Sequence, residues 1–133
     1  SDFPYVIETN MEQIYKEADV LSLHLPCTEE TKGFAGSKFF GKFAKPIVLI
    51  NTSRGDIVST NDLLDALDSG LVSGACLDVL DNEKPDTYTE QQELLYKDLF
   101  ERDNVLLTPH VAGWTVESKE RLAKLLLDGI RKL

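Results

Sequence analysis

The chain has 133 residues, 42% of them hydrophobic and 28% charged, with a formal net charge of −9, a composition that fits one soluble globular domain. Acidic protein without a basic patch repels phosphate backbones and anionic headgroups, which excludes nucleic acid and membrane surfaces as expected partners. No apolar run approaches the roughly 18–20 residues a spanning helix needs, and Ser1-Asp2-Phe3-Pro4 lacks the basic start and apolar stretch of a signal peptide.

In chain order, Asn10 can cap a helix running through Glu17, with Ile14 and Ala18 on one face. The short apolar run Val20 to Leu25, stopped by Pro26, predicts a buried strand. The stretch from Gly33 to Phe43 predicts a loop and short helix. Its glycines have no strand feeding into them, and their spacing is not that of a phosphate-cradling turn. Ile47 to Ile50, bounded by Pro46 and by Asn51-Thr52-Ser53, predicts a second strand. A helix follows from Thr60 to Leu67, with Thr60 as cap, Leu63, Leu64 and Leu67 at helical spacing, and Gly70 as its stop. Val72 to Val79 predicts a third strand, Glu90 to Phe100 a helix, and Val105 to Leu107, before Pro109, a fourth strand. From about Val116 to Leu133 the pattern predicts a long helix with Leu122, Leu125, Leu126 and Ile130 on its apolar side.

Alternating strands and helices predict an α/β fold with a parallel sheet flanked by helices. Ligands in such sheets bind beyond the carboxyl ends of the strands. The polar clusters fall there: His24 to Thr28, Asn51 to Gly55, Asp78 to Glu83, and His110 to Trp114. Four loops distant in sequence are therefore expected to converge on one edge.

Several residues at that edge carry chemistry. Arg54 directly follows a buried strand, where a guanidinium can grip a carboxylate through two parallel hydrogen bonds and polarise a carbonyl beside it. Alone, an arginine in a turn is more often a plain surface residue. His110 ends the last strand and can exchange a proton near neutral pH; the bland alternative is a structural loop histidine. Glu83, paired with His110, would fix the imidazole's tautomer and favour its proton-donating form, although the surrounding stretch is acidic in any case (Asp78, Asp81, Asp86). Asp78 could accept a hydrogen bond from a nicotinamide carboxamide, or simply cap a turn. Trp114 and Cys27 could line an apolar pocket, and Lys97 and Lys119 belong on solvated faces. The two cysteines, Cys27 and Cys76, lie far apart without clustered ligands. This argues against a disulfide and a metal site and suits a cytoplasmic location.

Four segments together resemble one family. They are Ala18-Asp19-Val20-Leu21-Ser22-Leu23-His24-Leu25-Pro26-Cys27-Thr28-Glu29-Glu30-Thr31, then Ile50-Asn51-Thr52-Ser53-Arg54-Gly55, then Gly74-Ala75-Cys76-Leu77-Asp78-Val79 followed by Glu83, and last Leu107-Thr108-Pro109-His110-Val111-Ala112-Gly113-Trp114-Thr115. In this order and spacing the chain resembles the NAD-dependent D-isomer-specific 2-hydroxyacid dehydrogenases, such as glycerate and phosphoglycerate dehydrogenases. The resemblance implies a catalytic set of Arg54, Glu83 and His110. It also implies a cofactor wall for NAD of His24, Leu25, Pro26, Thr28, Thr52, Ser53, Asp78 and Gly113, a 2-oxo or 2-hydroxy acid substrate, and a homodimer.

The resemblance also frames what to expect of the chain as a whole. The glycine-rich turn and the substrate domain of such enzymes are absent, so residues 1–133 are expected to be the carboxy-terminal portion of a NAD-binding domain, with 115–133 its final helix. This partial Rossmann-like sheet would lack the first βαβ unit. Such a fragment alone is expected to be inactive and to bind NAD weakly. A residue near Asp2 would bear on the choice between NAD and NADP. The competing expectation is a non-catalytic NAD-sensing or dimerisation module of the same fold, which would have no need of Arg54, Glu83 and His110 together.

Overall fold

The structure, a computed structural model, describes residues 5–131, so the expectations for Asp2 and for the last two residues of the final helix fall outside it. The elements are α1 (Met11–Glu17), β1 (Val20–Leu23), α2 (Ser37–Phe40), β2 (Ile47–Asn51), α3 (Thr60–Asp68), β3 (Val72–Leu77), α4 (Glu90–Phe100), β4 (Val105–Leu107) and α5 (Val116–Ile130), with 3₁₀ turns at Gly55–Ile57 and Pro85–Thr87. The strands form one parallel sheet in the order β1-β2-β3-β4. This is the expected α/β architecture.

Each strand lies parallel beside its predecessor, and successive crossovers of the same hand running in one direction put the connecting helices on one face. That face carries the core. Leu23, Ile47, Leu49, Ala75 and Leu77 of the strands pack with Phe39, Phe40, Leu63, Leu64, Leu67 and Leu99 of the helices. The other face is open in part: Val20 is 56% exposed and Leu106 62%.

Local chemistry sets the boundaries. Asn10 caps α1, its Oδ1 accepting the Gln13 N–H at 3.0 Å. Three expectations need correction. Ser59, not Thr60, caps α3, its hydroxyl accepting the Asp62 N–H at 3.4 Å. Thr60 is the first helical residue and gives its hydroxyl to Asp81 instead. β1 stops at Leu23 rather than Leu25, because its partner β2 ends opposite it at Asn51. β3 stops at Leu77 rather than Val79; Asp78 N–H still donates to the Asn51 carbonyl at 3.0 Å, and the chain then leaves the ladder. Gly70, with φ +74°, follows α3 in the left-handed conformation that suits a residue without a Cβ.

In α5 no residue is buried: Leu122, Leu125, Leu126 and Ile130 are each more than 60% exposed. These leucines are therefore not part of the core. Among the described residues, no helix is long and apolar enough to cross a membrane.

Candidate active site

The carboxyl end of β2 is built around Asn51, which is fully buried. A carboxamide both accepts and donates, and Asn51 uses both functions to fold the next three residues. Its Oδ1 accepts the Ser53 N–H at 3.1 Å and the Ser53 hydroxyl at 2.9 Å, and its Nδ2 donates to the Arg54 carbonyl at 3.0 Å. Arg54 leaves this turn toward solvent, with one guanidinium N–H on the Ser53 carbonyl at 2.6 Å. Gly55 presses against the loop after β3. A Cβ there would stand 1.9 Å from the Leu80 carbonyl carbon and 2.4 Å from the Asp81 nitrogen, so only glycine fits.

The ends of β3 and β4 are joined by Asp78, which is 4% exposed. Its Oδ1 accepts the Thr108 hydroxyl at 2.5 Å and the Val111 N–H at 2.8 Å, and its Oδ2 accepts the Ala112 N–H at 2.9 Å. Burial pushes this carboxyl up, but the bonds from Thr108, Ala112 and Val111, with the nearby His110, outweigh it and hold the group below the ordinary carboxylate range. The carboxylate thus latches residues 108–112 to the end of β3.

His110 sits inside the latched segment with φ +54°, the one non-glycine residue of positive φ among those described. A left-handed backbone costs roughly 1–2 kcal/mol for a residue with a Cβ, so the surrounding bonds must impose it. In this pose His110 Nδ1 lies 2.8 Å from Glu83 Oε2. A carboxylate only accepts, which assigns the proton to Nδ1 and leaves Nε2 as the ring nitrogen outside this contact. Both side chains are more than 40% exposed. As an ion pair the contact adds little stability; what it fixes is the orientation of the ring.

Two adjoining clefts meet at this pair. One, of about 380 Å³, is lined by Arg54, Asp56, Asn82, Glu83, Lys84 and His110 among others. The second, of about 200 Å³, is lined by Asp78, Leu80, Glu83, Tyr88, Thr108 and His110 among others. Arg54, Glu83 and His110, from three different loops, therefore share one cleft. It offers a cationic fork for a carboxylate beside an imidazole nitrogen that can exchange a proton.

The remaining sequence candidates lie elsewhere on the same edge. His24 is exposed at the end of β1 with Nε2 2.8 Å from the Ser22 hydroxyl. Leu25 packs partly against the core. The Pro26 carbonyl accepts the Thr31 hydroxyl at 2.6 Å, and Thr28 and Thr31 close the following turn. Thr52 is exposed and Ser53 half-buried on Asn51. The Gly113 carbonyl accepts the Ser118 hydroxyl. None of these lines either cleft beside His110 and Glu83. Trp114 is 74% exposed with Lys119 Nζ 5.9 Å over its ring, and Cys27 is exposed, so neither is part of an enclosed apolar wall. Asn51, Gly55 and Tyr88 contribute to the site without having been singled out from sequence. A buried polar residue ending an apolar strand was the available signal for Asn51. Among the described residues, no group of three or more His, Cys, Asp or Glu is placed to hold a metal ion.

Residues 3–112 match the family model described as D-isomer specific 2-hydroxyacid dehydrogenase, NAD binding domain. The chain belongs to the D-isomer specific 2-hydroxyacid dehydrogenases. Within this dehydrogenase family it is 40% identical over 124 residues to a D-lactate dehydrogenase of Streptococcus pyogenes, covering 90% of this chain and 38% of that protein. It is 42% identical over 122 residues to a glyoxylate reductase of Thermococcus litoralis, covering 91% and 34%. Among solved dehydrogenase structures, that of D-lactate dehydrogenase with NAD+ from Lactobacillus jensenii superposes with a TM-score of 0.78 at 32% identity, over 94% of this chain and 39% of that one. The chain thus spans less than two fifths of the length of these dehydrogenases. The family resemblance carried by the four sequence segments is borne out.

Proposed function

We propose that this chain is the carboxy-terminal portion of a NAD-binding domain, and that it supplies the acid/base edge of an oxidoreductase exchanging hydride between NAD(H) and a 2-hydroxy or 2-oxo acid of D configuration. The observation that carries the reading is the 2.8 Å contact of Glu83 with His110 in a cleft shared with Arg54. The relatives named D-lactate dehydrogenase and glyoxylate reductase act on acids of this class by their names, which supports it.

The residues suit the cofactor. The exposed edge at the ends of β1 and β2 offers neutral groups, with the Pro26 ring and the Thr28, Thr52 and Ser53 hydroxyls and no carboxylate among them, which fits an amide-bearing ring and a ribose. His24, Leu25, Pro26, Thr28, Thr52 and Ser53 would hold NAD there, with Asp78 and Gly113 on the β3 and β4 side. NAD, when bound, supplies hydride for reduction and accepts it for oxidation.

The chain's own part is binding and proton transfer. Arg54 takes the substrate carboxylate in a bidentate grip and stands beside the carbonyl. As hydride reaches the carbonyl carbon, the C=O π pair moves to oxygen, and that oxygen takes the Nε2 proton of the His110 imidazolium. Nδ1 keeps its own proton throughout, donating it to the Glu83 carboxylate, which holds the ring in place while Nε2 does the exchange. In the reverse direction neutral Nε2 takes the hydroxyl proton.

The residues of this chain alone form one wall of such a cleft, and the isolated chain is expected to be inactive and to bind NADH weakly. A homodimer and a cytoplasmic location complete the reading; the exposed apolar side of α5 and two free cysteines support them. The test is NADH oxidation by the whole protein with a panel of 2-oxo acids, with His110→Ala as control. Turnover that collapses in the variant supports the reading. Tight NADH binding without turnover on any acid would favour a NAD-sensing module instead.

A further inference from the structure

Tyr96 lies within α4 and is 1% exposed, yet it carries a hydroxyl into the core. Phenylalanine would fill that space without a polar group to satisfy. The hydroxyl is used: it donates to Asp81 Oδ1 at 2.7 Å and accepts the Asn82 N–H at 3.1 Å. Burial first, and then the bond to Asp81, push the phenol far above its ordinary value, so it remains a donor at any working pH. The same Asp81 oxygen accepts the Thr60 hydroxyl from the start of α3 at 3.0 Å.

Asn82 extends the network into the loop that bears Glu83. Its Oδ1 accepts the Lys84 N–H at 3.0 Å, and its Nδ2 donates to the Thr87 hydroxyl at 3.2 Å, closing the turn around Glu83. From the other side, the Gly55 backbone abuts Leu80 and Asp81 with no room for a Cβ. Residues 80–84 are therefore held from α3, from α4 and from the Arg54 turn, and Glu83 reaches His110 from the middle of that clamp. The ring of Tyr96 packs on Phe100 and Tyr88, which fixes the hydroxyl's own position.

We infer that Tyr96, acting through Asp81 and Asn82, is a positioning residue that sets Glu83 against His110. The inference rests on reading Glu83 and His110 as the acid/base pair. Tyr96 itself touches neither reactant. A displacement of about 1 Å at a reacting group costs up to about a hundredfold in rate, so a bond network remote from the substrate can govern turnover.

The test uses Tyr96→Phe in the whole protein, which keeps the ring and removes one oxygen. The expected result is a fall in kcat of about ten- to a hundredfold with KM for NADH nearly unchanged. In a Glu83→Gln background the same substitution should add little, because the group it positions is already gone; a merely structural role would lower kcat by the same factor in both. Asp81→Ala, on an exposed residue, should reproduce the loss if Tyr96→Phe fails to fold, and Asp81→Asn, which keeps an acceptor, should restore most of it. A readout independent of turnover is the 15N-coupled His110 Nδ1 proton by NMR, which should broaden or vanish in Tyr96→Phe. If the wild type shows no turnover but this signal is lost in the variant, the dehydrogenase reading fails and the positioning stands. An unchanged signal together with unchanged kcat overturns the inference.

Discussion

The Asp78 latch makes a quantitative prediction. Asp78→Asn keeps the side chain's volume but replaces one acceptor oxygen by an NH₂ group. Three donors converge on the carboxylate: the Thr108 hydroxyl and the Val111 and Ala112 amides. An asparagine oxygen can keep the first two, but its NH₂ then faces the Ala112 N–H, donor against donor. Leaving the part-buried Ala112 N–H unpaired, with loss of the charge on the other two bonds, costs about 2 kcal/mol. The left-handed His110 backbone, itself roughly 1–2 kcal/mol uphill, then loses what holds it and relaxes toward negative φ. Urea unfolding should report the loss of stability, and amide exchange at Val111 and Ala112 should speed up by about thirtyfold, the equivalent of that free energy. The pH dependence follows from the sign of the shift. The folded carboxyl lies below its ordinary value, so the latch contributes fully above about pH 4 and is lost as pH falls through the lower folded value. Wild-type protection of Ala112 should therefore persist at pH 5 and fail only in stronger acid, while the asparagine variant shows no such transition. Equal Ala112 exchange in wild type and variant at pH 6 would refute the reasoning.

Other substitutions test neighbouring parts of the account. His110→Gly should leave stability within about 1 kcal/mol of wild type, because relief of the left-handed backbone offsets loss of an exposed contact to Glu83, whereas His110→Val should be at least about 1 kcal/mol less stable than His110→Gly by urea denaturation. Gly55→Ala should cost about 3 kcal/mol or more, since its Cβ would fall within 1.9 Å of the Leu80 backbone; a cost below about 1 kcal/mol would mean that the two loops part freely. Ser59→Ala should lower stability by about 0.5–1 kcal/mol through loss of the α3 cap.

The strands were legible because each is a short apolar run, most with a local stop: Pro26 beyond the first, the polar Asn51 as the last residue of the second, Pro109 beyond the fourth. What blurred their ends was apolar residues that pack without pairing. Leu25 still touches the core and Val79 is buried, yet neither has a neighbouring strand to bond, and hydropathy does not distinguish packing from pairing. Ser59 and Thr60 are adjacent hydroxyl residues with equal claim to a cap. Only the bond from Thr60 to Asp81, 21 residues away, decides between them. Convergence of Arg54, Glu83 and His110 followed from parallel topology, since all three lie just past strand ends. The devices that hold them did not. Asp78 reaches partners 30 to 34 residues on, Tyr96 reads as one more apolar position of α4, and nothing in Thr108-Pro109-His110 announces a left-handed backbone. The leucines of α5 have core spacing and are exposed, because periodicity shows which side of a helix is apolar and not what covers it.

The central claim is that Glu83 and His110 act on the substrate as one unit. A double-mutant cycle on kcat/KM in the whole protein, with Glu83→Gln, His110→Ala and both together, tests it directly. If the account holds, His110→Ala removes most of the activity and adding Glu83→Gln costs almost nothing more, a coupling of 1 kcal/mol or more by the usual ~0.5–3 kcal/mol range for residues in contact. If the two losses simply multiply, the 2.8 Å contact is not part of the chemistry and the account is wrong.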